Sequence, residues 1–176
     1  MNDILKEART ILQTTPVRWT NLAQSLSRSV LNWPPAPGEW SAEDCLQHLV
    51  DAERWVFPVR INALRAGQDF AAFDPDRQGT KFNSDLSPVE LAAEFAALRA
   101  NSLALFDQLT TADLSRQARH QELGIVTMSE LLHEWAGHDL MHTVQAERAL
   151  MQPFIQGCGP WQSYFRDHIA ASEAKA

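Results

Sequence analysis

Residues 131–145 read LLHEWAGHDLMHTVQ, a run without proline in which apolar side chains recur every three or four positions. That spacing predicts an amphipathic α-helix. The preceding four residues, Thr127-Met128-Ser129-Glu130, form a capping box, with a hydroxyl at the N-cap and a carboxylate three residues later. We therefore expect the helix to begin after Thr127 and to end near Leu150, ahead of Pro153.

Three further helical blocks precede this one, each delimited by proline, glycine or a capping residue. Pro16 is expected to kink or divide the first block, and Pro58 to bend the second. No convincing run alternates apolar and polar residues, so we expect no strands. The chain, 1–176, is thus predicted to be one all-α domain, a four-helix bundle with a short C-terminal helix. The other helical segments are expected at Asn2–Val30, Ser41–Gly67, Ser87–Leu109 and, as the terminal helix, Pro160–Ala170.

A long polar loop is expected between the second and third blocks, at Gly67–Asp85. It contains three aromatic residues, Phe70, Phe73 and Phe82. A loop of this length either lies on the surface, fixed by its aromatic side chains, or forms a binding edge.

Charge and composition exclude several classes of protein. Fifteen Lys and Arg against twenty-two Asp and Glu give a net charge of −7, so the basic surface that a nucleic-acid-binding protein needs is absent. No apolar run approaches the roughly 20 residues of a membrane span, and the N-terminus is not a secretory signal. The two cysteines, Cys45 and Cys158, fit neither a disulfide scaffold nor a metal motif, which indicates a reducing cytoplasm.

Two histidines of the quoted stretch, His138 and His142, are four residues apart and share the apolar face of the predicted helix. Buried imidazoles are costly unless their nitrogens are paired, and a divalent metal would pair both. The alternative is a pair of hydrogen-bonded core histidines. His48 lies on the core face of the second block, and a third imidazole would complete a three-His site with an open coordination position.

Other residues near these histidines are weaker candidates. Asp51 and Asp139 could each orient a ligand imidazole, or could belong to a solvated polar face. Gln145 could reach a substrate or cap the pocket, and Trp135 could line it or belong to the core. Cys45 is expected to be a small buried residue. The three remaining histidines are interpreted as structural or incidental: His120, His133 and His168.

Two motifs together resemble the DinB-like (YfiT-like) family of four-helix-bundle metalloproteins. Trp40-Ser41 followed by His48-Leu49-Val50-Asp51-Ala52-Glu53 resembles the first, and residues 138–145 with the helix opening at Thr127 resemble the second. The resemblance implies an up-down-down-up bundle with a metal at one end of its core. It implies nickel or zinc as the metal, with His48, His138 and His142 as ligands.

Some relatives in that family are thiol-dependent transferases or isomerases. The resemblance therefore implies a metal-dependent enzyme, a thiol (S-)transferase or a hydrolase, acting on a small molecule with a low-molecular-weight thiol as possible cosubstrate. The alternative is a non-catalytic metal- or ligand-binding stress-response protein. A homodimer is also expected, because relatives often dimerise and six tryptophans exceed the evident needs of the core.

Overall fold

A computed structural model describes residues 3–74 and 85–170 of the chain. Its helical elements account for most of that range, and no described helix is long and apolar enough to cross a membrane. Phe82, one of the aromatic residues of the predicted loop, lies outside the described residues. The α-helices are α1 (Ile4–Ser25), α2 (Arg28–Leu31), α3 (Ala42–Trp55), α4 (Phe57–Ala66), α5 (Pro88–Phe106) and α6 (Met128–Gly157).

Capping side chains fix the starts of the main helices. Ser41, Ser87 and Thr127 each form a complete capping box with the acidic residue three positions later. The N-cap oxygen accepts from an otherwise unpaired N–H of the first turn, and the carboxylate accepts from the N-cap N–H. These three boundaries confirm the prediction from sequence.

Pro16 does not divide its helix, whereas the second helical block does break next to Pro58. Pro16 is buried within an uninterrupted α1. Pro58 occupies the first turn of α4, where a missing N–H is tolerated, and the chain breaks before it at Val56. Pro153 lies inside α6, which continues to Gly157, so the predicted end near Leu150 was wrong.

The expectation of no strands was also wrong. Two short strands, β1 (Gln117–His120) and β2 (Gly124–Thr127), form an antiparallel hairpin whose register pairs His120 with Gly124. Gly124 has a φ of 80°, a left-handed conformation that glycine adopts readily. Four residues are too few for a clear alternating pattern, which explains why the sequence did not reveal these strands. The predicted terminal helix is a 3₁₀-helix, Gly159–His168, and another 3₁₀ turn covers Asp113–Ser115.

The loop after α4 is tied to this hairpin. The backbone N–H of Phe70 donates to the carbonyl of Arg119 at 3.0 Å, and the N–H of Gln121 donates to the carbonyl of Phe70 at the same distance. Phe70 and Phe73 also pack against the apolar core. Aromatic side chains therefore fix the described part of the loop.

Helix α1 packs against both α5 and α6, and ion pairs show the relative directions. Arg9, near the start of α1, pairs with Asp107 just beyond the end of α5, so these helices are antiparallel. Arg18, in the second half of α1, pairs with Glu147 in the second half of α6, so these two are parallel.

Helix α3 occupies the other position between α5 and α6. Cys45, near its start, shares an apolar cluster with Leu91 near the start of α5 and with Ala146 in the second half of α6. Helix α3 is therefore parallel to α5 and antiparallel to α6. The result is the up-down-down-up four-helix bundle that the family resemblance implied.

The apolar core consists of two clusters separated by a polar layer. One cluster, here called the Phe57 cluster, includes Leu12, Phe57, Phe106 and Trp135. The Phe95 cluster includes, among others, Trp19, Leu46, Phe95 and Leu150. The layer between them contains buried charged side chains, and it positions the histidines described below.

The centre of this layer is Arg99 of α5, which is 1% exposed. Its guanidinium donates to Glu53 Oε1 at 2.7 and 2.9 Å and to the two Asp139 carboxylate oxygens at 2.6 and 2.9 Å. Burial alone would lower the pKa of Arg99, but the charges of Asp139 and Glu53 outweigh it and raise that pKa above its ordinary value. The side chain is therefore a permanent buried cation.

Arg99 also makes a contact that depends on Pro16. Its Nη1 donates to the carbonyl of Leu12 at 2.9 Å. In a regular helix that carbonyl would accept from the N–H four residues later, which proline lacks. The proline thus leaves a backbone acceptor in the core, and Arg99 supplies its hydrogen bond.

We predict that Arg99→Met lowers the free energy of unfolding by about 3–5 kcal/mol at neutral pH, because two buried carboxylates lose their cation. Urea unfolding measures the loss. The matched control is Arg9→Met, which removes the ion pair between Arg9 and Asp107, whose side chains are 39% and 47% exposed. That control should cost at most about 1 kcal/mol. Equal losses in the two variants would contradict the role assigned to the buried network.

Candidate metal centre

Three histidines from two helices meet inside the bundle. His48 comes from α3, and His138 and His142 come from successive turns of α6. One ring nitrogen of each lies within 4.8 Å of the others. The Nε2 atoms of His48 and His138 are 3.0 Å apart. Two nitrogens this close can share one ion, since each would lie about 2.0–2.1 Å from a zinc.

Burial favours the neutral form of His138 and His142, which is the form that binds metals. His48 is 7% exposed and His142 5% exposed. Burial, together with the neighbouring charges of His142, His48, Arg99 and Arg60, lowers the pKa of His138 to about 2. Burial likewise lowers the pKa of His142, against the opposing effects of Gln145 and Asp139. Neutral imidazole keeps a free lone pair, whereas imidazolium cannot coordinate.

Gln145 fixes the tautomer of one histidine. His142 Nδ1 lies 2.9 Å from Gln145 Oε1, an acceptor, so Nδ1 carries the proton and donates. The lone pair of His142 is then on Nε2. Metal-ligating histidines commonly have such a partner on their second nitrogen. Gln145 thus contacts the ring of His142, and the two roles considered from sequence, a contact with substrate or a cap on the pocket, stay predictions.

Aromatic rings enclose the three imidazoles. The half-buried Trp40 ring stacks on His142, with centroids 5.7 Å apart and planes 15° apart, and lies 5.0 Å from His48. Phe57 meets His138 edge-on at 5.2 Å. These rings restrict the imidazole orientations and limit contact with bulk water.

The donor set fits a transition metal of intermediate softness. Among the described residues, no thiol or carboxylate joins the three nitrogens as a further ligand. Cys45, one turn before His48, is fully buried, in agreement with the sequence expectation of a small buried residue. His138 Nδ1 is buried without a hydrogen-bond partner. Nitrogen donors suit zinc, copper, iron and nickel, whereas calcium and magnesium prefer oxygen.

Both candidate carboxylates are buried, so neither belongs to a solvated polar face. Asp139 is fully buried and forms its ion pair with Arg99. Asp51 is 1% exposed, and one of its oxygens lies 4.0 Å from Arg54. Trp135 is fully buried, and its Nε1–H donates to Glu53 Oε1 at 3.2 Å, which makes it a core residue.

The remaining histidines are separate from this group. His133 is exposed, and its Nδ1 lies 2.8 Å from the carbonyl of Ser129. His168 is exposed in the terminal 3₁₀-helix. His120 is 5% exposed at the end of β1, where its ring packs against Phe70.

The resemblance implied a metal at one end of the core, and the structure differs. Along α6, Trp135 belongs to the Phe57 cluster and Ala146 to the Phe95 cluster, with His138 and His142 between them. The three histidines therefore lie near the middle of α6 rather than at an end.

Arg99 was not among the residues predicted from sequence, and Glu53 was given no role. For Arg99 the sequence does contain a signal. Arg99 follows Phe95 by four residues and precedes Ser102 by three, which places a charge on the apolar face of α5. A charged residue in such a stripe is rarely buried unless it is paired, so it indicates partners on neighbouring helices.

Comparisons with known proteins agree with the fold. The family model of the DinB superfamily matches residues 11–146. A solved structure, YfiT from Bacillus subtilis, described as a probable metal-dependent hydrolase with an unusual four-helix bundle topology, matches with a TM-score of 0.74 at 18% identity. The match covers 88% of this chain and 90% of YfiT. A search of curated proteins finds no match. The extent of the family match shows that the chain belongs to the DinB superfamily.

Proposed function

We propose that His48, His138 and His142 hold one divalent transition metal, zinc or nickel. The observation that carries this proposal is the convergence of one nitrogen from each ring within 4.8 Å. Burial supports it, because His138 and His142 remain neutral. The hydrogen bond from His142 to Gln145 supports it as well, because it leaves Nε2 of His142 for coordination.

Three protein ligands leave a coordination position for a water or a substrate. When bound there, the metal lowers the pKa of a water or thiol and so supplies a nucleophile at neutral pH. The chain's own contribution is to orient three imidazoles and to exclude bulk water with Trp40 and Phe57. Together these favour a metal-dependent enzyme that acts on a small molecule.

The nucleophile is proposed to be water, giving a hydrolase, or a low-molecular-weight thiol, giving an S-transferase. The description of YfiT as a probable metal-dependent hydrolase supports the first. The alternative, a non-catalytic metal-binding stress protein, would be favoured by a fourth protein ligand. The described residues supply none next to the three histidines.

We also propose a cellular location and an oligomeric state for the protein. Cysteine usage supports a cytoplasmic location. A homodimer is supported by exposed apolar side chains on the outer face of α6, where Leu140 is 49% and Val144 is 66% exposed.

We predict that the purified protein contains about one zinc or nickel per chain and that His142→Ala abolishes retention, since two imidazoles hold such ions weakly. Elemental analysis of untagged protein measures the content. His133→Ala is the matched control, because it removes an exposed histidine of the same helix. A folded wild type without metal, or equal loss in both variants, would overturn the assignment.

A second prediction concerns Gln145. Gln145→Leu removes the acceptor of the His142 Nδ1–H and should weaken metal affinity by about 10–100-fold without unfolding the bundle. Competition against a zinc-binding dye gives the affinity. Gln156→Leu, an exposed change on the same helix, should leave it unaltered. Unchanged affinity in Gln145→Leu would show that the hydrogen bond does not support coordination.

The reaction class is tested with metal-loaded protein. Esters and amides with chromogenic leaving groups report hydrolysis, and a panel of thiols with 1-chloro-2,4-dinitrobenzene reports thiol transfer. We expect turnover in one of the two assays that is absent from His142→Ala and retained in His133→Ala, because only the former lacks a ligand. Absence of both activities in metal-loaded wild type would favour the binding-protein alternative.

A further inference from the structure

Two hydrogen-bond donors lie side by side where α4 meets the hairpin. Arg60 Nη2 is 3.4 Å from His120 Nε2. His120 Nδ1 accepts from the backbone N–H groups of Glu122 and Leu123 at 3.1 and 3.3 Å. A neutral imidazole carries one N–H, so here the proton is on Nε2. A guanidinium N–H and an imidazole N–H therefore adjoin the same space, and neither can accept from the other.

No carboxylate of the described residues forms an ion pair with this guanidinium. Arg60 is half-buried, and burial lowers its pKa without removing its charge. Glu134 acts on Arg60 through its charge from beyond ion-pair distance, and burial raises the pKa of Glu134. The cation thus lacks the close anionic partner that Arg99 has in the core.

Arg60, Phe70 and His120 line a cavity of about 130 Å³, and Arg60 and Phe70 also line a larger apolar cavity of about 340 Å³. Its walls include Trp55, Val59, Phe70 and Phe73. Trp55 and Val59 are 55% and 50% exposed, and the Arg60 guanidinium lies 5.6 Å from the centroid of the Phe70 ring. This volume falls at the lower end of the range for small-molecule sites, which combine apolar walls with a few polar groups.

We propose that Arg60 and His120, together with the apolar cavity beside Trp55 and Phe70, form a binding site, here called the Arg60 pocket. Its ligand is a small monocarboxylate with an aromatic or aliphatic body. One carboxylate oxygen accepts from Arg60 Nη2 and from His120 Nε2, and the apolar body occupies the cavity beside Trp55 and Phe70. Hydrogen bonds to an ionised acceptor are stronger than neutral ones, and a carboxylate supplies the acceptor that both donors need. The proposal does not depend on the metal or on the proposed reaction.

The test compares two probes of nearly equal shape, 2-naphthoate and the neutral 2-naphthylmethanol, by titration calorimetry. Wild type is expected to bind naphthoate at least about tenfold more tightly, because only the carboxylate forms charged hydrogen bonds. Arg60→Gln is expected to remove this preference and to leave the affinity for naphthylmethanol unchanged.

The matched control is Arg65→Gln on the same helix, where Arg65 is exposed and donates to Gln108. It should retain the wild-type preference, as should metal-free His142→Ala, which separates this pocket from the metal centre. Absence of naphthoate binding, no preference in wild type, or equal loss in Arg60→Gln and Arg65→Gln would each overturn the proposal.

A second variant keeps both hydrogen-bond donors, Arg60 and His120, and removes only the negative charge of Glu134. Glu134→Gln is expected to tighten naphthoate binding and to leave naphthylmethanol binding unchanged, because the carboxylate of Glu134 repels a bound anion. Unchanged naphthoate affinity in this variant, together with a preserved preference in Arg60→Gln, would show that the carboxylate is not held at this place.

Discussion

One buried cation ties the four bundle helices together. Arg99 of α5 contacts α1 through the carbonyl of Leu12, α3 through Glu53 and α6 through Asp139, all within 2.6–2.9 Å. A guanidinium presents its donors in one rigid plane, so these partners fit it only when the helices are in the correct register. Asp139 adjoins His138 in sequence, and Glu53 lies on the helix that carries the third histidine. The positions of the imidazoles therefore depend on this ion network.

Arg99 can bond to α1 because a proline in that helix leaves one buried backbone carbonyl without its helical donor. Pro16 deprives the Leu12 carbonyl of its helical donor, and a buried carbonyl without a donor is destabilising. Arg99 satisfies it and also neutralises part of the charge of two carboxylates. An aliphatic residue at 99 would remove the donors of the Leu12 carbonyl and of the Asp139 carboxylate, and would leave Glu53 Oε1 with only the N–H of Trp135. Pro16 and Arg99 are far apart in the sequence, but the arginine supplies the hydrogen bond that the proline removes.

The parts of the molecule that depend on a local sequence pattern could be predicted. Helix starts at Ser41, Ser87 and Thr127 follow from caps, and the grouping of the histidines follows from their places on apolar stripes. The partners of Arg99 could not be predicted, because they lie on three other helices and no local pattern identifies them. The hairpin was missed because its strands are only four residues long, and the path of α6 through Pro153 depends on tertiary packing.

Charge is distributed unevenly around the three imidazoles. The network of Arg99, Glu53 and Asp139 has two carboxylates for one guanidinium, and from it the charge of Arg99 acts on His138 whereas the charge of Asp139 acts on His142. Arg60 acts on His138 from α4 and has no ion-paired carboxylate among the described residues. A divalent cation bound by the three imidazoles, as proposed, would keep its full charge because its ligands are neutral, and Arg60 would attract an approaching anion further. The guanidinium on the side of α4 therefore differs from the one in the core, which is paired with two carboxylates, and it is the one that can attract a further anionic group.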